Sequence, residues 1–139
     1  FYDDGGVMKN YLAVGASSWL SDSLLAAEFS NYGTRVDLFA PGVDIYSTTP
    51  DNTYEAFSGT SMASPAVAGA AALLMSYYPE LTAYEIKMIL LESVTKPSNV
   101  VYKPGSDIAV PFSELSATGG ILNIYEAFRL AEIKTSGSN

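Results

Sequence analysis

The residues best placed to do chemistry lie in one stretch, Phe57-Ser58-Gly59-Thr60-Ser61-Met62-Ala63-Ser64-Pro65. A β-rich segment leads in and an Ala- and Leu-rich run leads out, so the pattern predicts a strand, a short turn and a buried helix. Ser61 then falls in the first turn of that helix. The first N–H groups of a helix have no intrahelical partner, and the helix dipole puts partial positive charge there. A serine oxygen at that point can attack a carbonyl carbon, and its own N–H can bind the oxyanion that forms. Gly59 leaves the approach clear of a side chain. Ser and Thr ahead of a helix often serve only as N-caps, and Thr60 and Ser61 alone would fit that plainer role. The seven residues Gly59 to Pro65, taken as a unit, weigh against it.

The rest of the composition limits what Ser61 could work with. The sequence has no histidine and no cysteine. Thiol nucleophiles, disulfide frameworks and cysteine-based zinc sites are therefore excluded. An imidazole base for Ser61 has to come from outside these 139 residues. Fifteen acids against seven bases give a net charge of −8, and no Lys/Arg cluster interrupts it. That excludes a nucleic-acid footprint and disfavours anionic membrane surfaces. With 48% hydrophobic and 16% charged residues the chain reads as globular rather than disordered. The longest apolar run, Ala66 to Met75, is about half the length of a membrane span, so no membrane span is expected. The sequence opens on Phe1-Tyr2-Asp3-Asp4-Gly5-Gly6 with no targeting pattern, and is expected to begin inside a longer protein.

The elements that must position Ser61 follow from local pattern. Tyr11 to Ala16 and Val36 to Ala40 read as short buried strands, the second closed by Pro41-Gly42. Ser30-Asn31-Tyr32-Gly33 is turn material. Ile45 to Thr48 and Tyr54 to Ser58 read as strands joined by a hairpin loop, Thr49 to Thr53. From Thr60 to about Tyr77 the helix has almost no polar face, which predicts burial all round, with Pro79 as its stop. Thr82 and Glu85 fit a capping box, with Leu81 and Ile86 as the accompanying staple. Ile86, Ile89, Leu90 and Val94 form the apolar stripe of that second helix, which Lys96-Pro97 ends. Val100 to Tyr102 and Ile108 to Val110 could pair across Pro104 to Asp107. Asn123 is placed to cap a last helix from Ile124 to about Ile133, and Thr135 to Asn139 reads as a flexible tail. Among smaller signals, Asp3-Asp4 reads as a solvated loop with a calcium role left open. Tyr77-Tyr78 reads as packing at a helix end, and Trp19 as partly buried.

Several of these segments resemble, in order, the subtilisin-like serine proteases, or subtilases. Gly59 to Pro65, followed by Val67-Ala68-Gly69-Ala70-Ala71-Ala72-Leu73-Leu74, resembles the family's serine segment. Ala13-Val14-Gly15-Ala16 resembles its Val-Gly-Ala strand, and Phe29-Ser30-Asn31-Tyr32-Gly33 its Phe-Ser-x-x-Gly turn. Val36 to Gly42 resembles its Asp-x-x-Ala-Pro-Gly strand and turn. Gly120-Ile121-Leu122-Asn123 with Ala127 resembles the ending of the catalytic domain. The family's triad runs Asp, His, Ser along the chain, so the resemblance implies that only the last member is here. By resemblance Ser61 aligns with the nucleophile, and Thr60 supports the oxyanion hole with its hydroxyl. Met62 lines the leaving-group side. Ser58 stands where many subtilases have Asn, and Ala66 where a non-catalytic His is frequent.

The resemblance implies an α/β fold, the C-terminal part of a subtilisin-like domain, with a mainly parallel sheet and packed helices. Residues 1–134 would be the C-terminal half of the catalytic domain and 135–139 a tail. The implied partners are a polypeptide substrate and either the missing N-terminal half or a second copy. No cofactor is expected, with calcium left open for the full-length domain. The family's habit implies an extracytoplasmic or secreted protein. An α/β-hydrolase elbow would need Gly-x-Ser-x-Gly, and Ala63 breaks that pattern. A sedolisin-type serine-carboxyl protease would account for the missing His, but Met62 to Pro65 is closer to subtilisins. Asp107, with only Glu114 nearby, is also no calcium cluster. A non-catalytic scaffold is the third alternative. Asp-x-Gly, His-Gly-Thr and an Asn upstream of Ala13 would decide against it.

Overall fold

The computed structural model describes residues 10–136. Its centre is a parallel pair, β1 (Val14–Ser17) and β2 (Leu38–Pro41), in register Val14 with Leu38 through Ser17 with Pro41. The pairing starts later than the apolar run at Tyr11 because Asp37 intervenes. Its carboxylate accepts the Ala13 N–H at 2.7 Å, and its own N–H donates to the Ala13 carbonyl at 2.9 Å. A parallel bridge from Phe39 to Ile121 widens the centre by one position. Two antiparallel hairpins lie outside it. β3 (Ile45–Thr49) pairs with β4 (Thr53–Phe57), and β5 (Val100–Tyr102) pairs with β6 (Ala109–Pro111). The expected parallel strands around Val14 and Leu38 are thus present, while the other four strands are hairpin arms. The β3–β4 loop turns through Asp51 and Asn52, both at positive φ, a conformation these two residue types tolerate.

Helix α1 (Thr60–Tyr77) packs on the parallel pair, and α2 (Ala83–Glu92) and α3 (Ile124–Ser136) pack beside it. Its inward face is Ala63, Val67, Ala70 and Leu74, spaced at helical intervals and all buried. Burial all round, expected from composition, is not what the structure has. Pro65, Ala68, Gly69, Ala72 and Leu73 are exposed, because only one face of α1 meets the rest of the described residues. Ala63 and Ala70 have no side chain beyond Cβ, which lets the α1 backbone lie close to Ala16, Leu38 and Ala40 in one cluster. A second cluster under the β5–β6 hairpin is built on Phe39 and Phe112, whose rings meet edge-on at 5.1 Å.

The helix ends follow local chemistry. The Thr82 hydroxyl accepts the Glu85 N–H and the Glu85 carboxylate accepts the Thr82 N–H, completing the capping box at α2. Asn123 caps α3 by accepting the Glu126 N–H at 3.0 Å, and its amide donates to Thr95 at 2.9 Å. α3 continues through Thr135 and Ser136, two residues into the stretch expected as tail. There the Thr135 hydroxyl donates to the Ala131 carbonyl. Residues 137–139, like Asp3-Asp4, lie outside the described residues. Tyr77 and Tyr78 pack their rings on Phe128 at 5.5 and 5.9 Å. Trp19 is 76% exposed rather than partly buried, because its loop, 18–25, lies at the surface.

Candidate active site

β4 ends at Phe57, Ser58 and Gly59 turn the chain, and α1 begins at Thr60. Gly59 is the N-cap, and no side chain caps the helix. Its carbonyl accepts the N–H groups of Met62 and Ala63 at 3.0 and 3.3 Å. That leaves the first two helical N–H groups, those of Thr60 and Ser61, without an acceptor among the described residues. Ser61 is exposed and Thr60 half-buried, and neither hydroxyl is engaged by another group of the described residues. The plain capping role is therefore not what these two hydroxyls perform here. Met62 is half-buried, with its sulfur close to Gly59. Ala66, where a His is frequent in the resembled family, is half-buried against the core beneath α1.

The lead-in to Ser61 rests on the turn after β2. Gly42 donates its N–H to the Ser17 carbonyl at 2.9 Å and accepts the Gly59 N–H at 2.7 Å. A Cβ on Gly42 would stand 2.8 Å from both the Gly59 carbonyl oxygen and the Ala16 Cβ. Only glycine lets these two segments lie so close. Asp44, at φ 53°, donates its N–H to the Ser58 Oγ at 2.9 Å. Sequence reasoning singled out Ser61 and Thr60 but read Gly42 only as the close of a turn and passed over Asp44. The signal available was the Pro41-Gly42 pair ahead of an Asp, which marks a turn and does not say what it packs against.

Ser61 is exposed, at the N-terminal end of the side of α1 that no other described element covers. A groove of about 660 Å³ lies between α2 and α3 and has Glu85 and Glu92 in its walls; Ser61 does not line it. Among the described residues no group of three or more His, Cys, Asp or Glu is arranged to hold a metal ion. No described helix is long and apolar enough to cross a membrane. What the arrangement offers is one hydroxyl beside two N–H groups at a helix start that have no acceptor among the described residues. It can attack a carbonyl and hold the resulting oxyanion, provided a base is supplied.

Ser61 thus lies at the start of a helix packed on a parallel α/β core. The chain belongs to the subtilase family, whose model matches residues 2–115. It is 45% identical over 91 residues to subtilisin DY of Bacillus licheniformis, which covers 66% of this chain and 32% of that protein. It is 62% identical over 68 residues to a thermophilic serine proteinase of Bacillus sp. strain AK1, covering 49% of this chain and 16% of that protein. A solved structure of subtilase cytotoxin SubAB assembly superposes with a TM-score of 0.66 and 29% identity, covering 88% of this chain and 37% of that one. The chain therefore spans about a third of subtilisin DY. The resemblance of Gly59 to Pro65 to the subtilase serine segment is in keeping with this membership.

Proposed function

We propose that this chain is the nucleophile-bearing part of a subtilisin-like serine endopeptidase. Ser61 Oγ attacks the carbonyl carbon of a peptide bond while a base from outside this chain takes its proton. The tetrahedral oxyanion is held by the Ser61 N–H, with the Thr60 hydroxyl as support. The C–N bond breaks, the amine leaves with the proton, and water then hydrolyses the Ser61 acyl ester. The observation that carries this reading is the exposed Ser61 beside the N–H groups of Thr60 and Ser61, which have no acceptor among the described residues. Substrate is a polypeptide, and the same reading puts the working protein outside the cytoplasm.

The sequence holds no histidine, so this chain alone is expected to be inactive. The base and its orienting carboxylate would arrive with the preceding part of the domain, packed over the uncovered side of α1; a second copy of the chain could cover that side but brings no histidine. Replacing Ser61 by Ala in the full-length protein should lower peptide cleavage by several orders of magnitude. Cleavage continuing at the original rate would remove Ser61 from the mechanism.

A further inference from the structure

The two residues before the helix that carries Ser61 are gripped from two sides. On one side the buried Gly42 takes the Gly59 N–H at 2.7 Å and leaves no space for a side chain of its own. On the other, the Ser58 Oγ accepts the Asp44 N–H at 2.9 Å and lies 3.5 Å from the Asp44 carboxylate. The second distance is long, so the bond from the Asp44 N–H is the tie. Asp44 sits in the left-handed region, which Asp tolerates better than most residues. Ser58 and Asp44 are exposed, so neither contributes to the core; their hydrogen bond spans 14 residues and joins the β2 turn to the end of β4.

We infer that Ser58 is a positioning residue for Ser61. By taking the Asp44 N–H, its hydroxyl fixes the peptide that leads into α1, and with it the direction of the Ser61 Oγ and N–H. Gly42 supports that peptide from beneath. Attack on a carbonyl needs the oxygen within a narrow approach, and small displacements of the nucleophile slow it sharply. The inference rests on Ser61 being the nucleophile.

The test uses the full-length protein and the second-order rate of its covalent labelling by a fluorophosphonate, with the melting temperature measured alongside. Ser58→Ala should label roughly tenfold more slowly, the loss expected for one hydrogen bond in a positioning chain. It should still reach full labelling at saturation and keep its melting temperature within about 2 °C, because Ser58 is surface-exposed and outside the core. Ser58→Thr, which keeps the oxygen, should recover most of the rate. Ser58→Ala labelling as fast as the original, while Ser61→Ala does not label, would overturn the positioning role and leave the nucleophile in place. A slowed rate that Ser58→Thr does not recover, or that tracks loss of folded protein, would also overturn it. Labelling that persists in Ser61→Ala would overturn the nucleophile assignment and this inference with it.

Discussion

The role proposed for Ser61 rests on its position. Its hydroxyl is ordinary, but the helix start beside it offers N–H groups that nothing among the described residues occupies. A second residue-scale arrangement, at Glu85, makes a separate prediction. The Thr82 hydroxyl first and the Thr82 N–H second hold the Glu85 carboxyl below its ordinary value near 4.5, outweighing desolvation, with Lys134 adding slightly. A value depressed on folding means that the ionised carboxylate stabilises the fold. That contribution is complete above the ordinary glutamate range and disappears as pH falls through the lowered value. Melting temperature followed from neutral to acid pH should therefore drop less steeply in Glu85→Gln than in the original chain. Thr82→Ala removes the cap itself and should cost about 1 kcal/mol at neutral pH in chemical denaturation. Both partners were legible in the sequence, because a capping box is a local pattern with fixed spacing. Asp44 was not, because its partner Ser58 is 14 residues away and spacing says nothing about which distant turns meet.

Among the elements, α1 is where composition and structure part. Its residues are apolar on every side, so the sequence located the helix within its true bounds but could not show which face was inward. The structure selects Leu74, fully buried, over Leu73, 46% exposed. Leu74→Ala should cost about 2–5 kcal/mol in urea unfolding of this chain, and Leu73→Ala about 0.5 kcal/mol or less. Equal costs would mean that the helix is rotated from the orientation described. A similar close approach holds the α2 exit against the segment that leads to α3, where Thr95 bridges Ile121. A Cβ on Gly120 would stand 2.4 Å from a Val94 methyl and 2.9 Å from the Thr95 carbonyl oxygen. Gly120→Ala should therefore destabilise by about 1–3 kcal/mol. The first strand starts three residues later than expected, where a side chain enters the pairing. At Ala13, the Asp37 carboxylate takes an N–H that a strand partner would otherwise bond.

At the scale of the whole molecule, the described residues form a core that leaves one side of its central helix uncovered. Pro65, Ala68, Gly69, Ala72 and Leu73 expose an apolar strip that runs on from Ser61, and burial of such a strip is favourable. The isolated chain is expected to self-associate, with sedimentation velocity showing mass that rises with concentration. Ala68→Glu, which puts a charge in the middle of the strip, should shift it toward monomer. A monomer at all concentrations would mean that this side needs no cover. The strip and the serine share one face of one helix, so whatever covers the first also stands beside the second. Labelling by a fluorophosphonate, mapped by mass spectrometry of the digested protein, bears on the nucleophile most directly. In the full-length protein the adduct should sit on Ser61, and the isolated chain, without a base, should remain unlabelled. An adduct on any other residue, or rapid labelling of the isolated chain, would contradict the assignment of Ser61 as a nucleophile activated from outside this chain.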